Sequence, residues 1–311
     1  MDSIMFDERR HVLLTGATGH VGGALLPRLL EAGFYVRCMT RDRTKSEFRE
    51  DERISVIEAD VLQPDSLRRA MEGCDLAYYL VHSMSGDGDF AQRDRRAAGH
   101  FRDAAAEAGL DRLIYLGGLG READGLSEHL RSRQEVGRIL RQGRVPTIEF
   151  RAAMVIGAGS LSFEMVKNLC HRLPVMICPQ WLSTQTQPIG TADLVRYLMA
   201  AADIELSASE IVEIGTPDTT TYREILAEYS QQNGLRRVFI PVPFLTPWLS
   251  GLWLSLVTPE TARIGSDMVT GLANPTIVTD SSAERFQIDA MSVDAAIARA
   301  LAGEAAGHAK A

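Results

Sequence analysis

Two short stretches hold residues whose types and spacing could do chemistry. The first is TGATGHVGG, residues 15–23, in which Gly16, Gly19 and Gly22 give G-x-x-G-x-x-G. It follows the apolar run HVLLT directly and opens a helical pattern. In that setting Gly16 permits a tight turn off a strand. Gly19 lets backbone approach a pyrophosphate, and Gly22 lets the helix pack close to the sheet. Thr18, His20 and Val21 lie between the last glycines and around them, so they count with the phosphate-binding turn. A tight turn without a ligand is the plain alternative. The strand before and the helix after weigh against it. The second stretch is HLRSR, residues 129–133. On a helix His129 and Arg133 stand one turn apart on one face, where like charges give no stability. That face either meets water or meets a ligand. An imidazole with an ordinary pKa near 6.5 is suited to acid–base work.

A basic cluster follows. An NAD site usually ends its second strand in a carboxylate that holds the ribose 2′-hydroxyl. Here the second apolar run ends in Met39 and Thr40, and Arg41 and Arg43 come next, with Arg37 inside the run. Guanidinium groups suit a 2′-phosphate, so NADP(H) is favoured over NAD(H), against the alternative of a solvated basic loop. After the third run, Asp60 and Val61 are placed to meet an adenine ring. An aspartate that caps a loop would look the same. His82 and Ser83 follow the fourth run, at the carboxyl edge where open α/β sheets bind ligands. The glycine-containing loop they begin could close over a nicotinamide with His82 on the cofactor and Ser83 on the substrate, or be an ordinary flexible loop.

The elements that must position these residues are legible as an alternation. Apolar runs at 11–15, 34–39, 54–58, 76–81, 112–116 and 146–150 are separated by helical patterns at 20–32, 65–72, 88–108 and 127–142. Such alternation predicts an α/β fold: a Rossmann-type doubly wound parallel sheet, its strands buried on both faces. After residue 155 prolines cluster and the rhythm breaks, which predicts a smaller, irregular C-terminal α/β cap. The expected units are a dinucleotide-binding domain over 10–185, a substrate cap over 186–302 interleaved with the sheet edge, and a flexible tail over 303–311.

Composition narrows the function. A formal charge of −8 opposes nucleic-acid binding, which needs a basic stripe. Cys38, Cys74, Cys170 and Cys178 form neither C-x-x-C nor a zinc spacing, so no metal is expected and buried free thiols in a reducing cytoplasm are. The charged start MDSIMFDERR is unlike a secretory signal. Residues 238–259 carry no charge, but Pro241, Pro243 and Pro247 break the first half. That segment reads as core, or as a membrane-surface or protein contact, and not as a transmembrane span.

With TGATGHVGG, EADV and YLGGLG in register, the chain resembles the short-chain dehydrogenase/reductase superfamily. More narrowly it resembles the atypical, extended-type members related to NmrA-like and epimerase-like proteins, over about residues 10–260. YYLVHSM, RDRRAAGHF, HLRSRQEVG and FRAAMVIGAGS carry the narrower likeness. The superfamily typically uses a Ser after the fifth strand, a Y-x-x-x-K on the next helix and an Asn on the helix before. This chain departs at each: Gly117-Gly118 stand for Ser, His129 for Tyr, Arg133 for Lys and Asp94 for Asn. The resemblance therefore implies that HLRSR faces the cofactor. Arg133 would bind ribose hydroxyls, and His129 would be catalyst, ligand contact or surface residue. It also implies that Met154, Val155 and Ile156 line the substrate side with Gly117 and Gly118. Arg133 would depress His129, leaving a usable base and a poor acid, unless Asp94 or Glu128 offset it. Two functions follow. One is an NADP(H)-dependent oxidoreductase or epimerase acting on a carbonyl or alcohol of a neutral, fairly apolar small molecule. The other is a non-catalytic NADP(H)-binding redox sensor or accessory protein, NmrA-like. A homodimer paired through helices is what such a fold suggests.

Overall fold

The computed structural model describes residues 10–45, 48, 50–81, 90–121, 123, 125–242 and 272–308. Seven strands form the central sheet: β1 (His11–Thr15), β2 (Tyr35–Thr40), β3 (Ile54–Glu58), β4 (Leu76–Tyr79), β5 (Arg112–Gly118), β6 (Thr147–Ala152) and β11 (Glu210–Ile214). Their spatial order is β3-β2-β1-β4-β5-β6-β11, and every pairing is parallel. The order reverses at β1, so the carboxyl ends of β1 and β4 open a crevice there, where such sheets bind ligands.

Both faces of the sheet are covered because neighbouring residues on one strand point opposite ways. Val12 and Leu14 enter one core with α1 (His20–Glu31) and α6 (Thr191–Asp203). Leu13 enters the other core with α2 (Pro64–Met71), α3 (Phe90–Ala108) and α4 (Glu128–Arg141). This is the doubly wound fold expected from the alternation. The helices begin where the sequence suggested, to within two residues.

A third core makes the cap. It joins β7 (Val155–Ile156), α5 (Leu161–Arg172), β8 (Val175–Cys178), α7 (Tyr222–Gln232) and α8 (Val293–His308). Phe163, Leu169, Ile225 and Ile297 are buried in it. This core takes in residues from 156 onward, because α5 spends its apolar face on α7 and not on the sheet. Residues 191–214 go the other way: α6 and β11 lie downstream in the chain yet complete the sheet layers. The expected tail at 303 is helical as far as His308, and Glu304 pairs with Lys167 at 3.0 Å.

Short pairings fasten the cap. β7 pairs with β10 (Ile189–Gly190), and β9 (Gln185–Thr186) with β12 (Thr220–Thr221). β8 pairs with β13 (Val238–Pro241), exposing Val175, Ile177, Val238 and Ile240. Of the uncharged 238–259 segment, residues 243–259 lie outside the described residues. Among those described, no helix is long and apolar enough to cross a membrane. All four cysteines are buried free thiols, as expected, and burial pushes Cys38 up to about 12.

Candidate functional site

The glycine turn is shaped by contacts that leave no room for a side chain. The Thr15 hydroxyl donates to the Tyr78 carbonyl at 2.8 Å and accepts from the Leu80 amide at 2.9 Å, which pins the end of β1 to β4. Gly16 then turns with φ +66°, and a Cβ there would lie 2.9 Å from the Leu80 oxygen. A Cβ on Gly22 would lie 2.2 Å from the Gly16 oxygen, so α1 crosses the turn only because position 22 is bare. Thr18 and Gly19 are exposed, and Gly19 caps α1 without a side-chain hydrogen bond. The first amides of α1 are thus left for an anion, and no acidic side chain stands in its first turn. This cradle fits a dinucleotide pyrophosphate.

His20 and Val21 leave the turn toward the cap and reach a cavity of about 330 Å³. His20 Nε2 lies 2.7 Å from the Thr191 hydroxyl at the start of α6. Burial lowers the His20 imidazole below its ordinary value.

The basic cluster divides. Arg37 turns away, donating to the carbonyls of Ala70 at 2.9 Å and Glu72 at 2.7 Å. Arg43 pairs with Glu50 at 2.6 Å. Asp42, just past the strand end, accepts from the Thr44 amide at 3.0 Å and hydroxyl at 2.6 Å. Arg41 is exposed directly after β2, with no ion pair among the described residues. Asp60 does what a loop cap does, its carboxylate accepting from the Leu62 amide at 2.8 Å. Val61 packs partly against the second core. His82 and Ser83 lie outside the described residues.

The second half of the site is the start of α4. Ser127 caps it, accepting from the Leu130 amide at 3.3 Å. Asn274, remote in sequence, accepts from the Ser127 amide at 3.1 Å and donates to the Gly125 carbonyl at 3.1 Å. The helix is stitched to the end of β5. The Tyr115 hydroxyl donates to the Arg133 carbonyl at 2.8 Å, the Arg133 guanidinium donates to the Leu116 carbonyl, and Gln134 donates to the Gly120 carbonyl at 2.6 Å. Two turns on, Gly137 makes way for Glu149 of β6: a Cβ there would lie 2.2 Å from its carboxylate. Fully buried, Glu149 is matched by Arg141 and Arg151, each at 2.8 Å.

The face of α4 that carries His129 and Arg133 therefore turns to the cavity, while Arg131 between them is exposed. His129, Leu130 and Arg133 line the cavity with Gly117 and Gly118 of β5. Burial, with Arg133 second, lowers His129 to about 4. The neighbouring arginine acts in the expected sense, but burial is the larger cause. Neither Asp94 nor Glu128 offsets it. Asp94 is buried on α3, accepts from the Ser132 hydroxyl at 3.2 Å and is not on the cavity wall. Leu130 closes on Gly118, since a Cβ there would lie 2.8 Å from its Cδ2 atom. Met154 and Val155 are on the wall as expected. Ile156 is not: it is 2% exposed and belongs to the cap core, because on the short strand β7 it points opposite to Val155.

The rest of the wall was not anticipated. Leu161, Met165 and Leu169 line it from α5, Trp181 from the turn after β8, and Leu226 from α7. The α5 residues stand four apart, a signal present in the sequence but indistinguishable there from an ordinary core stripe. Ser160, Ser162, Tyr222 and Thr276 are the polar cap residues on the wall. Among the described residues no cluster has the makings of a metal site.

Comparison with known proteins agrees with this geometry. Residues 16–145 match the family model described as NAD(P)H-binding. Cinnamoyl-CoA reductase 1 of Oryza sativa subsp. japonica is 32% identical over 120 residues, 36% of this chain and 36% of that protein. The chain thus spans about a third of the length of that curated relative. Among solved structures, Citrobacter sp. triphenylmethane reductase complexed with NADP(H) superposes with a TM-score of 0.73 at 16% identity, covering 93% of this chain and 99% of that one. Bordetella bronchiseptica WbmG in complex with NAD gives 0.69 at 16%, covering 96% and 95%. The fold is thus of the Rossmann type, and residues 16–145, which hold the glycine turn, are similar to NAD(P)H-binding domains. In fold the chain is similar to these reductase and epimerase structures, such as Citrobacter sp. triphenylmethane reductase.

Proposed function

We propose that this chain is an NADP(H)-dependent oxidoreductase whose substrate is a neutral, largely apolar carbonyl compound or the matching alcohol. The observation that carries the reading is the cavity. One volume is touched by the glycine turn through His20 and Val21, by His129 and Arg133 of α4, and by the apolar cap. Arg133 is the only permanently charged side chain on its described wall, and it belongs to α4, not to the cap. A nucleoside diphosphate substrate would need cationic anchors on the cap side, and the described wall has none there. Exposed Arg41 beside the end of β2 supports a 2′-phosphate and hence NADP(H).

When bound, the dinucleotide supplies or accepts a hydride at nicotinamide C4. The chain's residues do the rest. Arg133 holds ribose hydroxyls while keeping its charge. His129, neutral at pH 7, accepts the hydroxyl proton of an alcohol during oxidation. In the reducing direction its N–H steadies the oxygen as charge develops, and the proton comes from water. Leu161, Met165 and Trp181 shed water from the reacting carbon's surroundings.

The test is NADPH consumption across a panel of aromatic and aliphatic carbonyls, with NADPH binding followed by thermal shift. His129→Ala is expected to lower turnover about 10²-fold or more while binding persists. Binding without turnover on any carbonyl would favour the non-catalytic sensor, a reading supported by the loss of the superfamily's Ser, Tyr and Lys together.

A further inference from the structure

The Thr191 hydroxyl has one proton, and it donates that proton to the Ile156 carbonyl at 3.2 Å. With both hydrogen bonds made at once, the contact of 2.7 Å between Thr191 Oγ1 and His20 Nε2 runs the other way, with Nε2–H donating. This fixes the tautomer of a neutral His20. The proton sits on Nε2, and Nδ1 carries a lone pair. Nδ1 has no hydrogen bond among the described residues and is not sealed from solvent. Gly157 is part of the device, since a Cβ there would lie 2.0 Å from Thr191 Oγ1 and 3.0 Å from His20 Nε2.

His20 is also the first residue of α1, directly after Gly19 of the phosphate-binding turn. A lone pair held there opposes an anionic oxygen, and Nε2 is already committed to Thr191. We propose that dinucleotide binding takes up one proton, on Nδ1 of His20, so that the imidazolium donates to the pyrophosphate through Nδ1 and to Thr191 through Nε2. The inference rests on the reading that the glycine turn holds the dinucleotide. It makes His20 a proton-linked cofactor ligand that joins the turn to the cap.

The surrounding charges leave this role to His20. Asp193 and Arg196 on α6 pair with each other, as do Glu164 and Lys167 on α5, while His129 and Arg133 stand on the α4 side of the same cavity. Burial is the single cause that lowers free His20, which is therefore neutral at pH 7. Between the free and the bound pKa, affinity falls as pH rises, by as much as about tenfold per unit for one proton.

The experiment is calorimetric titration of NADPH at pH 7.5 in buffers of different ionisation enthalpy, on the full chain. Wild type is expected to take up more protons per NADPH bound than His20→Gln, the difference approaching one. The 2′-phosphate contributes equally to both and cancels. Thr191→Val provides a second arm. Freed from the hydroxyl, the ring can carry its single proton on Nδ1, so uptake should fall to the His20→Gln level while affinity changes less than about threefold. Equal uptake in wild type and His20→Gln would overturn the proposal, as would full uptake in Thr191→Val. Absence of NADPH binding altogether would overturn the cofactor reading as well, and so is distinguishable from either.

Discussion

The glycine turn and the first turn of α4 reach the same cavity from opposite sides, and they are built by opposite means. The turn is made of backbone. Its function resides in the absence of side chains at Gly16 and Gly22, where an added Cβ would lie 2.9 Å and 2.2 Å from a carbonyl oxygen. The start of α4 is made of side chains, and their properties come from segments far along the chain. Asn274 holds the helix start, and the cap buries His129. The backbone site can change only by failing. The side-chain site can change its residue types while keeping its place in the fold.

That contrast sets the size of the expected effects. Gly22→Val should be the most damaging substitution, costing about 4 kcal/mol or more, because the colliding atoms are backbone on both sides. Loss of the cooperative melting transition, or of NADPH binding in whatever folds, would be the readout. A variant that keeps wild-type stability would break the claim that position 22 must be bare. Glu149→Gln comes next. It leaves Arg141 and Arg151 without the carboxylate between them, for a loss of about 3 kcal/mol in denaturant unfolding. Because Glu149 is matched to α4 through Arg141 and Gly137, this variant also asks whether the chemistry of α4 depends on the helix being held from behind.

Gly118→Ser restores the residue type that the superfamily uses near that place. Its Cβ would meet Leu130 Cδ2 at 2.8 Å, the end of a side chain that can move, so the expected cost is smaller, about 1–3 kcal/mol. Turnover should not rise, because the neighbouring cavity-lining residues of α4 are His129 and Arg133, and not the Tyr and Lys such a serine would need. The double variant with Leu130→Ala should recover part of the stability. A gain in turnover from either variant would show that α4 carries a dormant form of the superfamily's usual site.

The same contrast explains what was legible in the sequence. A glycine pattern between a strand and a helix is a local signal, and the turn, six of the strands and the helix starts could be read from it and from the alternation, whereas the strand order and the place of β11 at the sheet edge could not. The stripe of His129 and Arg133 was visible too, but its surroundings were not. Asp94 was grouped with His129 by family position. In the structure it lies on α3 and meets Ser132, on another face of α4. Ile156 was grouped with Met154 on the wall, and the alternation of one short strand sends it into the cap core. Thr191, which fixes the tautomer of His20, is separated from it by most of the domain and gives no sign of the contact in the sequence. The packing of α5 was hidden too, because it looks like another crossover helix until its partner α7 is known.

The effect that is smallest near neutral pH concerns protons at His129. Its folded pKa of about 4 lies below the unfolded value of about 6.5. Between those values the unfolded chain binds a proton that the folded chain does not. Stability is therefore lost as pH falls from about 6.5 toward about 4, with a slope of up to about 1.4 kcal/mol per pH unit from this residue, and none is lost from it at higher pH. The slope is measured as the difference between wild type and His129→Gln in urea unfolding, which removes the contributions of other groups. Half-buried His20 adds a slope of the same sign, so the two histidines should act additively if each is lowered by its own burial. An unchanged slope in His129→Gln would mean that the imidazole is as well solvated as in the unfolded chain. The apolar cap would then not close over α4, and the difference drawn between the two sides of the cavity would collapse.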